Sequence, residues 1–80
     1  MKQIKKDVIT YELEEGFFVD VEMKPEGSIP EIEVWIYHEN FDIKKMMFGV
    51  GKIEISKVEK IIEANKDMYM SDYLDLYMRD

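Results

Sequence analysis

The stretch Val8-Ile9-Thr10-Tyr11-Glu12-Leu13-Glu14-Glu15-Gly16-Phe17-Phe18-Val19-Asp20-Val21-Glu22-Met23 decides the fold. On either side of Glu14-Glu15-Gly16 the apolar residues fall at every second position. Ile9, Tyr11 and Leu13 alternate with Thr10 and Glu12, and Phe17, Val19, Val21 and Met23 alternate with Asp20 and Glu22. A period of two belongs to a half-buried strand. A three-residue connection with glycine last suits a hairpin whose type I turn ends on a left-handed residue. The connection also sets the register. Leu13 meets Phe17, Tyr11 meets Val19 and Ile9 meets Val21 on one side, while Thr10 meets Asp20 and Val8 meets Glu22 on the other.

Moving outward, Lys24-Pro25-Glu26-Gly27 places proline and glycine where a type I turn takes them, and Pro30 keeps the residues after it out of a helix. A third strand follows, with Ile32, Val34 and Ile36 on one face and Glu31, Glu33, Trp35 and Tyr37 on the other. Pairing Met23 with Ile32 sets Glu22 opposite Glu33, a like-charge contact that costs stability. His38-Glu39-Asn40 reads as a turn, with His38 solvated in it. Beyond the turn the apolar phase is odd at Phe41 and Ile43 and even at Met46, Phe48 and Val50. The change at Lys44-Lys45 signals a β-bulge or a gap between two short strands. Ser56-Lys57-Val58-Glu59 matches a capping box, and Val58, Ile61, Ile62, Asn65, Tyr69, Tyr73 and Leu76 then follow helical spacing.

The expected architecture is therefore α+β: a small two-layer domain whose antiparallel sheet of three to four strands, in meander order, carries a C-terminal helix on one face. The strands are expected at about 4–13, 17–24, 31–38 and 41–50, and the helix at about 57–78, with a break near Asp67 or a restart at Ser71 as the alternative. With 80 residues, 46% of them hydrophobic and 12% aromatic, the chain reads as one folded domain. The opening charged residues and the short apolar run after them are too brief for a signal-peptide core or a membrane span, and the absence of cysteine fits a reducing compartment. A cytoplasmic location is expected.

Charge is distributed unevenly. Residues 7–42 hold eleven Asp and Glu against the single basic residue Lys24, a segment charge of −10, whereas residues 1–6 carry +3, 43–66 carry +3 and 67–80 carry −3, for a net of −7. Zero cysteines exclude thiolate catalysis and thiolate zinc sites. One histidine, His38, cannot make a typical zinc site, and neither Ser28 nor Ser56 sits in a nucleophile elbow. Paired carboxylates on an open sheet face lack the pocket that would separate their pKa values. Gly49-Val50-Gly51 lacks the third glycine of a dinucleotide loop, since Glu54 stands in its place. No enzyme activity, metal or cofactor is expected.

Two surfaces stand out instead. The outward sheet face gathers Glu12, Asp20, Glu22, Glu31 and Glu33 around Phe18, Trp35 and Tyr37. A solvated strand face needs no tryptophan, so aromatic anchors ringed by carboxylates suggest a contact for a basic partner; the bland account has the N-terminal residues or the curl of the sheet covering Trp35 and Phe18. On the helix, Met70, Leu74 and Met78 form a line at i, i+4, i+8, which reads either as a wide core contact or as a homodimer interface. Scarce clustered Lys and Arg disfavour direct nucleic-acid binding, although Lys44, Lys45, Lys52, Lys57 and Lys60 form a local basic exception.

In size, acidity, lack of cysteine and lack of catalytic groups, the chain resembles the acidic inhibitors of phages and mobile elements, including anti-CRISPR and antirestriction proteins. It is also similar to the immunity proteins that neutralise nuclease toxins. The resemblance implies an inhibitor or modulator that occupies a basic, nucleic-acid-binding surface of a partner protein, its carboxylates standing in for phosphates. The alternative is a homo-oligomeric structural or regulatory subunit joined through the C-terminal helix.

Overall fold

The computed structural model describes residues 7–78, with Tyr77 and Met78 described as backbone only. Strands β1 (Asp7–Glu12), β2 (Phe17–Met23), β3 (Ile32–His38) and β4 (Lys44–Val50) form one antiparallel sheet in the order β1-β2-β3-β4, and helix α1 (Ile55–Met78) follows. This is the α+β meander with a C-terminal helix that the alternation predicts. Residues 4–6 of the expected first strand lie outside the described residues.

Both register expectations appear in the sheet. Ile9 pairs with Val21, Tyr11 with Val19 and Thr10 with Asp20 between β1 and β2, while Val21 pairs with Val34 and Glu22 with Glu33 between β2 and β3. One face thereby collects Phe17, Val19, Val21, Ile32, Val34 and Ile36, and α1 lays Val58, Ile62 and Tyr73 against them. Removing such side chains from water stabilises the fold by about 1.5–3 kcal/mol apiece. The opposite face has no helix against it among the described residues.

The first turn differs in hand from the expected one. Phe17 N donates to Glu14 O at 3.2 Å, and both residues between them have positive φ, 57° at Glu15 and 85° at Gly16. Two consecutive positive φ values make a type I′ turn, whose twist matches that of the flanking strands. The second turn is displaced by one residue, because Ser28 N donates to Pro25 O at 3.0 Å and Gly27, at φ 91°, takes the third position. Positive φ at that position defines type II. The chain then returns over the helix-free face, where a Cβ on Gly49 would lie 2.6 Å from Cγ of Pro30.

The break in β4 lies further along than Lys44-Lys45. Trp35 pairs with Met46 and Val34 with Phe48, so Met47 is the extra residue of the bulge. Lys44 points outward beside Tyr37, Met46 points outward beside Trp35 instead of inward, and Met47 and Phe48 both turn toward the core. Met47 is buried in the core and Phe48 packs against it, where strict alternation would turn only one of the two inward. The fourth strand begins at Lys44, and Phe41 to Ile43 belong to the connection before it.

The helix runs unbroken for 24 residues, without a stop at Asp67 or Ser71. It begins two residues early, since the Glu54 carbonyl accepts from Lys57 N at 3.0 Å and from Val58 N at 3.3 Å. Ser56 therefore sits inside the first turn and does not cap it. Glu59, expected to close the capping box, accepts a hydrogen bond from the Tyr11 hydroxyl at 2.6 Å. A tertiary partner on β1 has displaced the local one.

Two substitutions test the backbone. Glu15→Asn supplies a residue that tolerates positive φ and should raise stability by about 0.5–1 kcal/mol, read as a higher urea midpoint. Gly49→Ala drives a methyl group into Pro30, whose ring cannot rotate aside, and should lower stability by about 1–3 kcal/mol in the same measurement.

Candidate functional site

Across the helix-free face the four strands align side chains in rows. Glu12, Phe18, Tyr37 and Lys44 form the row nearest the β1–β2 turn, Thr10, Asp20, Trp35 and Met46 the middle one, and Val8, Glu22, Glu33 and Gly49 the third. Phe18 and Tyr37 stack with ring centroids 5.6 Å apart and 21° between planes. Glu12, Phe18, Asp20, Glu22, Glu33, Trp35 and Tyr37 thus share one face, as the alternation predicts. Their accessibility, however, is not uniform.

Asp20 is 7% exposed. Its Oδ1 accepts from Thr10 Oγ1 at 2.7 Å and from the Tyr37 hydroxyl at 3.4 Å, and Lys44 Nζ lies 2.7 Å from its Oδ2. A buried carboxylate requires such partners, because burial without them costs several kcal/mol. Asp20 is therefore an internal tie among four strands rather than a charge offered to a partner. Lys44, with Nζ 5.1 Å from the Tyr37 ring centroid, completes the cage. Its hydrogen bond to Asp20 pushes the Lys44 pKa up, outweighing the effect of burial, and so favours the charged ammonium. That is the opposite of what a nucleophilic lysine needs.

The opposition of Glu22 and Glu33 is also relieved. Lys24 Nζ stands 3.4 Å from a carboxylate oxygen of each, and Trp35 Nε1 donates to Glu33 Oε1 at 3.2 Å. The like-charge contact predicted from register exists, and the one basic residue of the acidic segment bridges it. Glu31 leaves the face, its Oε2 accepting from Gly27 N at 3.1 Å so that it ties the second turn.

Several carboxylates without an ion pair gather at one end of the sheet. Among the described residues no ion pair holds Glu12, Glu15, Glu39 or Asp42, whereas Glu14 is 3.6 Å from Lys66. All of these lie at the β1–β2 and β3–β4 turns, at one end of the sheet, where Glu39 N donates to Gly16 O at 2.9 Å and joins the two turns. His38 strengthens that junction and is half-buried rather than solvated. Its Nδ1 accepts from Asn40 N at 3.1 Å, which leaves the proton on Nε2 to donate to Glu15 O at 2.9 Å, and its ring meets Phe17 edge-on at 4.7 Å.

On the helix, Met70 packs against the core and Leu74 is exposed, so the Met70, Leu74, Met78 line divides; the side chain of Met78 lies outside the described residues. Tyr11, in the groove between β1 and α1, has its pKa pushed up to about 12 by burial first and then by its hydrogen bond to Glu59. Among the described residues no cluster of His, Cys, Asp and Glu is arranged to hold a metal ion, and no helix is long and apolar enough to cross a membrane. Thr10 was identifiable from register alone as the neighbour of Asp20. Lys44 was not, because its orientation depends on where the bulge falls.

Removing the Asp20 carboxylate should unfasten the face. Asp20→Ala leaves Thr10 and Tyr37 without their acceptor and should lower stability by about 2–3 kcal/mol, while Glu12→Gln should change it by less than about 0.5 kcal/mol in the same urea titration. No protein-family model, curated protein or solved structure matches the chain.

Proposed function

We propose that the chain is a small acidic protein-binding domain, an inhibitor or modulator that seats its acidic side on a basic surface of a partner protein, of the kind that otherwise holds DNA or RNA. The observation that carries this reading is a cluster of carboxylates at one end of the sheet. Asp20, Glu22 and Glu33 are held by Lys44 and Lys24, whereas Glu12, Glu15, Glu39 and Asp42, without an ion pair among the described residues, gather where the β1–β2 and β3–β4 turns meet. Fixed turns hold these charges in place, so little ordering entropy is lost when a cationic surface meets them. The Phe18–Tyr37 stack and Trp35 begin immediately beside them and offer rigid aromatic area for the apolar part of a contact.

The same charges oppose direct binding to nucleic acid, which requires clustered cations. An unpaired acidic rim instead speeds encounter with a basic protein and makes that encounter sensitive to salt. A phage or mobile-element inhibitor of anti-CRISPR or antirestriction type, acting in the cytoplasm by nucleic-acid mimicry, is the biological setting that such chemistry fits best. An immunity protein against a nuclease toxin would use the same surface.

The test is capture from host cells with the wild-type chain and with a Glu12→Lys, Glu39→Lys, Asp42→Lys variant. Basic nucleic-acid-binding proteins should be retained by the wild type, released by added duplex DNA or RNA, and lost at least about tenfold with the variant. Retention that ignores both the variant and the competitor would sink the proposal. Asp20 is unsuitable for this purpose, since its reversal would unfold the sheet before reporting on binding.

A further inference from the structure

Helix α1 lies against the sheet through Val58, Ile62 and Tyr73. Glu59 and Lys66, the latter also paired with Glu63, hold one of its flanks to β1 and the first turn, through the Tyr11 hydroxyl and Glu14. At 3.6 residues per turn the opposite flank carries Ile61, Ala64 and Met68, at the i, i+3, i+7 spacing of a helix contact. Met68 is 51% exposed, Ala64 is exposed, and Ile61, half-buried, is not among the side chains packed against the core. This flank keeps an apolar seam that the sheet does not use.

Charge along the seam is sorted by position. Lys57 and Lys60 stand seven and four residues before Ala64, and Asp67 and Asp72 three and eight residues after it. All four are exposed, and among the described residues no ion pair holds any of them. Both aspartates lie a full turn or more before Leu76, the last helix residue with a described side chain. Cations therefore border the first half of the seam and acids the second. Such a pattern is its own complement when reversed end to end.

We propose that this flank is a homodimer interface, in which α1 of a second copy packs antiparallel across Ala64. About a two-fold axis through Ala64, Lys60 meets the partner's Asp67 and Lys57 meets the partner's Asp72, and the symmetry repeats both pairs. Alanine at the centre lets the helix axes approach to about 8 Å, the close end of helix packing, with Ile61 and Met68 covering each other on either side. Charge selects this occupant. A partner helix carrying one sign of charge would meet one half of the seam and be repelled by the other. The net charge of −7 opposes self-association at long range, but a screening length of about 8 Å at physiological salt weakens that repulsion far more than it weakens ion pairs in contact. The inference is independent of the proposed function, since it uses neither the sheet face nor the turns.

One helix pair is a small contact, so sedimentation equilibrium of the full chain should give a dimer with a Kd of about 10–100 µM. Lys57→Glu with Lys60→Glu makes the seam acidic throughout, and Asp67→Lys with Asp72→Lys makes it basic throughout. Each variant alone should dimerise at least about tenfold more weakly, whereas the two mixed in equal amounts should associate one to one at least as tightly as the wild type. Recovery in the mixture separates a lost contact from a lost fold, and these exposed positions should leave the circular dichroism unchanged. Met68→Glu should also weaken the wild-type dimer at least about tenfold. A chain that stays monomeric to about 1 mM, variants that dimerise like the wild type, or a mixture that stays monomeric would overturn the proposal. So would a dimer lost with Leu74→Asp and kept with Met68→Glu, which would place the contact on the flank of Met70 and Leu74.

Discussion

One carboxylate ties the four strands together. Asp20 on β2 receives Thr10 from β1, Tyr37 from β3 and Lys44 from β4, all on a face that no helix covers among the described residues. The apolar side of the sheet stabilises the fold without choosing among similar packings, because hydrophobic contact is non-directional. The Asp20 contacts are directional, and they are available only when β4 carries Lys44 outward. Breaking them by a slip of β4 against β3 would leave a buried charge alone, at a cost of several kcal/mol. Register, bulge and the stacked aromatics beside Asp20 are thus consistent with a single arrangement.

The distribution of charge follows from that arrangement. In sequence the residues from 7 to 42 form an almost unbroken acidic block. In the folded chain two lysines divide it. Lys24 spans Glu22 and Glu33, and Lys44 neutralises Asp20. Glu12, Glu15, Glu39 and Asp42, without an ion pair among the described residues, lie where the β1–β2 and β3–β4 turns meet, while Asp7, Glu26 and Glu31 lie at the other end of the sheet. The cost of opposed carboxylates, which from register alone argues for an external cation, is met inside the molecule. What argues for a partner is the set of charges at the turns, held in place by the His38 and Glu39 hydrogen bonds; of these charges only Glu14 meets a lysine among the described residues.

Much of the fold was legible because the signals are local. Alternation over Ile9 to Met23 and over Ile32 to Tyr37 specified faces and pairing, and Gly16 and Gly27 marked the turns. The features that were not legible are those in which a distant residue outweighs a local preference. Glu59 is placed to close a capping box, yet it receives the hydroxyl of Tyr11, 48 residues earlier in the chain. The run Met46-Met47-Phe48 is apolar throughout, so no periodicity within it locates the bulge. Leu76 carries the spacing of a core residue yet is 47% exposed.

By itself, then, the sequence determined the strands, the register of the first three, the sharing of one face by Asp20, Glu22, Glu33 and Trp35, and the presence of a C-terminal helix. Side-chain period and turn chemistry are properties of adjacent residues and act before the chain is compact. Tertiary structure alone decided which of those carboxylates remain accessible and where the bulge in β4 falls. Burial of a charge and the position of a bulge are set by groups brought together from opposite parts of the chain. Lys44 reaches Asp20 only once the sheet has closed over its bulge.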